Sequence, residues 1–343
     1  MAADKPRGCF ISSGRAILMT LLVCVVIIAV ALIVFFSTTS AQNGLDHGKG
    51  DYSGSLVHTT DSCQYDPIVP AQWLHRKLGQ IRDADNDDCM RILDAGTYMD
   101  GHDLYLKGHI PNALFYNTSQ CLFDPQGRVG DLPDEECFQE YIRLLGISRN
   151  THVVVYDRYL NIVASRIWWT LRLFGHNKVS IVDGGMSAWT RLGYNTSLYS
   201  PRVKKTEFRI KHNPSLLVDF DDMTAIVKEK TAQVVDSRDP KEFTGETTTP
   251  GYKTGHMPGA INVPLKEVLD TDDTIKPPGE LKQIFADRGV DLTQPIVSTC
   301  RTGVYSTTLT AIFFSLGVDN VASYDGSWQD WSRRATDDMI TTG

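Results

Sequence analysis

Among the nucleophiles of this 343-residue chain, Cys300 occupies the most telling place. It follows the β-branched run Ile296-Val297-Ser298-Thr299 and opens the loop Cys300-Arg301-Thr302-Gly303-Val304-Tyr305, ahead of a helix starting at Ser306 or Thr307. A thiol at the carboxyl end of a buried strand, facing a helix N-terminus, is placed to attack a substrate. The N–H groups of a tight glycine-containing loop, the positive end of the helix and the Arg301 guanidinium all favour an anion there. An inert structural cysteine belongs inside an element, whereas this one sits at a junction.

The remaining cysteines divide by position. Cys9 and Cys24 lie before or inside an apolar run, while Cys63, Cys89, Cys121 and Cys137 form a cluster far from Cys300. In an oxidising compartment these four close two disulfides in one of three pairings and leave Cys300 free. No C-x-x-C pair occurs, so a zinc ribbon or a thioredoxin-type dithiol has no ligands, and neither a metal nor a cofactor is expected.

The apolar run is Ile17 to Phe36, which carries no charge and has the length of a membrane span. Signal-peptide cores are about 7–15 residues, so this longer run reads as an uncleaved anchor. Lys5, Arg7 and Arg15 precede it, which keeps the N-terminus cytosolic and sends the rest of the chain into a lumen or outside the cell. Asn117-Thr118-Ser119 and Asn195-Thr196-Ser197 are then glycosylation acceptors. The net charge is −7, and residues 1–36 contribute +2, leaving −9 for the remainder. That balance excludes a general nucleic-acid-binding surface. With 42% hydrophobic and 22% charged residues, neither a disordered nor a multi-spanning chain is expected.

A long-period repeat supplies the elements that must hold Cys300. Ile92-Leu93-Asp94-Ala95 followed by His109-Ile110-Pro111-Asn112-Ala113 returns as Val234-Val235-Asp236-Ser237 followed by His256-Met257-Pro258-Gly259-Ala260. Val182-Asp183-Gly184-Gly185 with Trp189 returns as Tyr324-Asp325-Gly326-Ser327 with Trp331, at an offset of 142 residues. One domain is used twice. Each copy alternates strand and helix patterns: Val153–Tyr156, then Val163, Ile167, Leu171 and Phe174 at helical spacing, then Val179–Val182. The second copy has Ile296–Thr299, then Leu309, Ile312, Phe313 and Leu316, then Asn320–Ser323. This order predicts α/β domains with parallel sheets flanked by helices and a ligand site beyond the strand ends. In the first copy the place of Cys300 is taken by Asp157, which cannot carry sulfur, so only the second copy can be catalytic.

The duplicated unit, the H-[IM]-P-x-A turns, the DGG and YDGSW endings and a loop beginning CR resemble the tandem-rhodanese sulfurtransferases, which act on thiosulfate or 3-mercaptopyruvate. The apolar run and its flanks give a cytosolic tail 1–15, an anchor 16–36 and a stalk 37–66, and the resemblance, which covers roughly 67–335, divides the rest into an inactive rhodanese-like domain 67–195, a linker 196–219 and a catalytic domain 220–343. It implies a Cys300 persulfide, loaded from a small anionic donor and discharged to cyanide or a thiol. It also implies a donor contact from Arg166, in Arg166-Ile167-Trp168-Trp169, together with Arg301, Thr302, Gly303 and Val304. His109 and Asp100 resemble the family's acid–base partners, although His256 repeats His109 where only a turn is needed. The loop reads CRTGV, between the CRKGV of thiosulfate-type members and the CGSGV of mercaptopyruvate-type members. Two other functions compete. A dual-specificity phosphatase would need an arginine six positions past the cysteine, where Ser306 stands, and a non-catalytic membrane-tethered binding module would not need Cys300 and Arg301.

Overall fold

Two five-stranded sheets, each fully parallel, carry the two copies. The computed structural model describes residues 65–79, 90–96, 100–122 and 131–343. The run Ile17–Phe36, Cys63 and Cys89 lie outside them. Among the described residues no helix is long and apolar enough to cross a membrane.

The first sheet contains β1 (Ile68–Pro70), β2 (Met90–Gly96), β3 (Ala113–Asn117), β4 (His152–Tyr156) and β5 (Val179–Asp183), in the order β1-β5-β4-β2-β3. The second contains β6 (Leu217–Val218), β7 (Gln233–Asp236), β8 (Ile261–Asn262), β9 (Ile296–Thr299) and β10 (Val321–Tyr324), in the order β6-β10-β9-β7-β8. The orders are the same, as the repeat requires. The central strands read as near-continuous apolar runs because they are covered on both faces, the usual condition of a parallel sheet. β6 falls at the end of the segment read as linker: too short for a period-two pattern, it is recruited as an edge strand by β10.

Helices cover both faces of each sheet. α1 (Ala71–Leu78) and α5 (Gly185–Arg191) close one side of the first sheet, while α3 (Glu135–Leu144) and α4 (Ile162–Leu173) close the other. α2 (Gly101–Lys107) runs between β2 and β3. In the second copy α6 (Phe220–Glu229) and α10 (Ser327–Arg334) take one face, α8 (Pro278–Asp287) and α9 (Ser306–Ser315) the other, and the short α7 (Pro240–Thr244) follows β7.

α4 and α9 lie between the two sheets. A surface helix would show one apolar stripe, but both are buried nearly all round. They pack on each other, so that Trp168 and Trp169 share one hydrophobic core with Leu309, Ile312 and Phe313. Trp168 meets the edge of Phe314 at 5.5 Å between ring centres, and the Arg172 guanidinium is stacked against both rings, 4.9 and 4.6 Å from their centres. The copies are therefore halves of one core, and α4 presents first-copy side chains to the loop that opens α9. In the first copy, Cys121 is bonded to Cys137.

Candidate active site

Cys300 immediately follows β9, and its thiol is buried, with 2% of the residue exposed. The loop folds back so that the Gly303 N–H donates to Sγ at 3.2 Å. Only glycine permits this turn: Gly303 has φ +81°, and a Cβ there would stand 2.2 Å from the Asp325 carbonyl oxygen. The N–H groups of Thr302, Val304, Tyr305 and Ser306 make no backbone hydrogen bond among the described residues. They belong to the loop that runs from Cys300 into the start of α9, where unpaired backbone donors favour an anion.

The first copy shows what such a loop holds. Asp157 occupies the slot of Cys300, and its buried carboxylate accepts from the N–H groups of Tyr159 (3.0 Å), Asn161 (3.2 Å) and Ala164 (2.9 Å). The backbone clasp is the same in both: Met186 N–H donates to the Asp157 carbonyl at 2.9 Å and Trp328 N–H to the Cys300 carbonyl at 3.0 Å. Burial raises the Asp157 carboxyl to about 6 despite these donors.

Ser327 completes the thiol's surroundings. Its hydroxyl accepts from Cys300 N–H at 3.2 Å, donates to the Tyr324 carbonyl at 2.8 Å and lies 3.9 Å from Sγ. The residue has φ +50°, a left-handed conformation that serine rarely adopts, and the first copy has Gly185 there with φ +49°. The hydroxyl is thus held beside sulfur at the expense of backbone strain.

Arg166 reaches this loop from α4 in the other copy. Its Nη1 donates to Asp325 Oδ1 at 2.6 Å and to the Gly303 carbonyl at 3.1 Å, and the guanidinium lies 4.6 Å from the centre of the Trp169 ring. Arg166 therefore grips the glycine whose N–H faces sulfur, and its charge is balanced by Asp325. Arg301 lies on the solvent side, paired with Glu242 of α7. Thr302 is half-buried, and Val304 is buried in the shared core, where its carbonyl accepts from Thr307 Oγ1 at 2.6 Å.

Two expected residues have other surroundings. His109 is fully buried, stacked on Tyr105 at 3.9 Å, with Nδ1 2.9 Å from the Tyr105 carbonyl and Nε2 3.0 Å from the Tyr199 carbonyl. Both ring nitrogens are committed to backbone, which corrects the acid–base expectation: His109 fastens the turn to the segment after α5. His256 does the same work in the second copy, stacked on Phe243. Asp100 is exposed at the start of α2.

Arg238 was missed by sequence reasoning, although it lies two residues past the repeated Asp236. It binds both carboxylate oxygens of Asp236, reaches the Gly255 carbonyl at 2.9 Å and stacks 4.4 Å from the Trp328 ring centre. The first copy makes the same bonds with a different residue: Arg158 binds Asp94 at 2.7 Å and the Gly108 carbonyl at 2.8 Å. Arg158 is the sequence counterpart of Arg301. Because Arg238 already satisfies Asp236, Arg301 is released to Glu242. Ser306, at the phosphatase arginine position, is buried against Ser323 and presents no phosphate ligand.

Residues 71–192 and 219–334 both match the family described as Rhodanese-like domain. The chain belongs to the rhodanese family. Thiosulfate sulfurtransferase of Rattus norvegicus is 36% identical over 280 residues, covering 79% of this chain and 93% of the relative. Human 3-mercaptopyruvate sulfurtransferase is 34% identical over 286 residues, with 80% and 95% covered. Among solved structures, SseA of Escherichia coli, a 3-mercaptopyruvate sulfurtransferase with a rhodanese fold, aligns with a TM-score of 0.66 and 32% identity, covering 77% of this chain and 99% of its own.

Proposed function

We propose that this rhodanese is a sulfurtransferase that takes sulfane sulfur from thiosulfate or 3-mercaptopyruvate, carries it as a Cys300 persulfide and passes it to cyanide or a thiol. The observation that carries this is the buried Cys300 thiol at the head of a tight loop, with Gly303 N–H donating to its sulfur at 3.2 Å. The Cys300 thiolate attacks the outer sulfur of thiosulfate; the new S–S bond forms as the old one breaks, and sulfite leaves with the electron pair. From 3-mercaptopyruvate the leaving group is the pyruvate enolate, which takes a proton. The persulfide keeps a negative charge on its outer sulfur, and the N–H groups of the loop stabilise it as they stabilise the Asp157 carboxylate in the first copy. The anionic donor competes with Glu242 for Arg301 on the solvent side of the loop and with Asp325 for Arg166 on its inner side, which supplies local cations in a protein whose overall field is negative. The named relatives support both donors, and the hybrid loop Cys300-Arg301-Thr302-Gly303-Val304 favours neither alone. A non-catalytic binding module would have no use for this built cradle.

The same reading includes a single-pass topology, with the anchor 16–36, the N-terminus in the cytosol and both domains lumenal or extracellular. The uncharged run Ile17–Phe36, the bonded pair Cys121–Cys137 and the exposed acceptor Asn195 support it. The test is the full chain assayed in parallel with thiosulfate plus cyanide and with 3-mercaptopyruvate plus a thiol. Loss of both activities in Cys300→Ser is expected. A serine variant as active as wild type refutes the persulfide.

A further inference from the structure

A carboxylate stands against the cation that neighbours the nucleophile. Glu242, in the middle of the short α7, accepts from Arg301 Nη2, and the same oxygen accepts from Thr249 Oγ1 at 3.4 Å. Arg301 is the residue next to Cys300, and its side chain is 48% exposed, whereas that of Glu242 is only 17% exposed. The backbone around Glu242 is fixed. Pro240 starts α7, Asp239 caps it through the Lys241 N–H, and the next residue, Phe243, is stacked on His256 at 3.7 Å with its carbonyl 2.8 Å from that ring's Nδ1.

The fold does not require this pair. A half-exposed guanidinium is hydrated without help, and an ion pair at the surface contributes little to stability. In the first copy the matching arginine, Arg158, neutralises the buried Asp94; in the second Arg238 does this for Asp236, so Arg301 has no buried charge to serve. What Glu242 changes is the charge that a donor meets. Arg301 faces Glu242, Arg166 faces Asp325 and Arg238 faces Asp236, so each of these three guanidiniums is matched by a carboxylate. A second negative charge on a small donor is then a disadvantage. The hydration lost on entry rises with the square of the charge, while the net attraction to a matched pair stays small at either charge.

We propose that Glu242 sets the choice of donor: by holding Arg301 neutralised, it selects the monoanionic thiol 3-mercaptopyruvate over dianionic thiosulfate. This rests on the persulfide reading above and decides between the two donors that reading allows. Glu242 leaves the chemistry at sulfur unchanged and acts through Arg301, as a residue that determines specificity.

The experiment uses the full chain with 2-mercaptoethanol as acceptor, following sulfite release from thiosulfate and pyruvate release from 3-mercaptopyruvate. Wild type should show the higher kcat/KM with 3-mercaptopyruvate. Glu242→Gln keeps the size and an oxygen for Arg301 and Thr249 but removes the charge. Since the gain doubles on a logarithmic scale for a dianion, kcat/KM should rise about tenfold for thiosulfate and about threefold for 3-mercaptopyruvate, in both cases through KM. Glu242→Asp, which keeps the charge, should keep the wild-type ratio. Glu246→Gln, which removes an exposed carboxylate just past α7 that is not bound to Arg301, should match wild type. A wild type that prefers thiosulfate, a donor ratio that Glu242→Gln leaves unchanged, or the same shift from Glu246→Gln overturns the proposal. A wild type that takes sulfur from neither donor refutes the persulfide reading itself, and the proposal with it.

Discussion

Replacing Ser327 by glycine and by alanine separates the hydroxyl's two effects. Alanine removes the hydroxyl but keeps a Cβ at φ +50°, whereas glycine removes both, and Gly185 shows that the fold accepts glycine at the matching place. The hydroxyl accepts from Cys300 N–H at 3.2 Å and donates to the Tyr324 carbonyl at 2.8 Å. At about 0.5–1.5 kcal/mol for each hydrogen bond, Ser327→Ala should lose about 1–3 kcal/mol. A left-handed residue with a Cβ costs about 1–2 kcal/mol, and glycine's greater freedom in the unfolded chain offsets about 0.4–1 of that relief. Ser327→Gly should therefore be more stable than Ser327→Ala by about 1 kcal/mol, which is about 2–4 °C in melting temperature. Both should slow persulfide formation to a similar extent, because both lose the hydroxyl 3.9 Å from Sγ. Thermal denaturation, with sulfite release measured in a single turnover, reads the two effects independently. Equal melting temperatures would refute the strain argument, and a wild-type rate of sulfite release would show that the hydroxyl plays no part at sulfur.

Cys300→Ser should lose all turnover while keeping the cooperative melt, since the smaller hydroxyl can still accept from the Gly303 N–H that now faces sulfur. Arg166→Ala breaks a partly buried pair with Asp325, so the donor half-reaction should fall roughly 10- to 150-fold in kcat/KM, equivalent to about 1.5–3 kcal/mol; stopped-flow traces indistinguishable from wild type with both donors would remove the first copy from the site. Asp183 has its carboxyl raised to about 6 by burial, although Ile275 N–H and Asn161 bind it. A carboxyl raised on folding contributes stability that is present below its unfolded value and lost as pH rises through about 6. Asp183→Asn should thus melt with wild type near pH 4 and above it at pH 7, and a difference constant across that range sinks the assignment. Cys137→Ser should cost about 3 kcal/mol, because the bond to Cys121 closes a loop with a sequence separation of 16, and urea denaturation with and without reductant measures it.

The central architecture was legible because it rests on periodic signals. The runs at Val153–Tyr156 and Ile296–Thr299, and the helical spacing of Ile167 and Leu171, survive folding as β4, β9 and α4. Cys300 was legible for the same reason: its place is a junction between two readable elements. The shortest strands were not, since Leu217–Val218 and Ile261–Asn262 have two residues each and exist only through their neighbours. Side-chain destinations were harder still. Nothing local tells that Arg166 would meet Asp325 rather than solvent, a contact between residues 159 apart that depends on α4 packing against α9. His109 looked chemical because imidazole so often is, and burial between two carbonyls decides otherwise. Ser327 carried a weak signal: a serine at the place where the other copy has glycine invites the question of what its side chain is kept for.

The exchange of arginines between the copies limits how much sulfur one chain can hold. In the second copy Arg238 binds Asp236, which leaves the loop arginine Arg301 available; in the first copy that task falls on Arg158 itself. The first copy cannot adopt the other solution. Gly96 matches Arg238 in the repeat, and any Cβ there would lie 2.3 Å from the Phe115 ring. The second copy also sets its 272–275 segment against the end of β5 and α5, with Ile275 N–H on Asp183 and Arg191 on Asp272. A cysteine introduced at position 157 would thus sit beside an arginine already bound to the buried Asp94 rather than one paired at the surface, as Arg301 is with Glu242. On the proposed persulfide reading, duplication gives one working loop, at Cys300, and one structural copy built around Asp157.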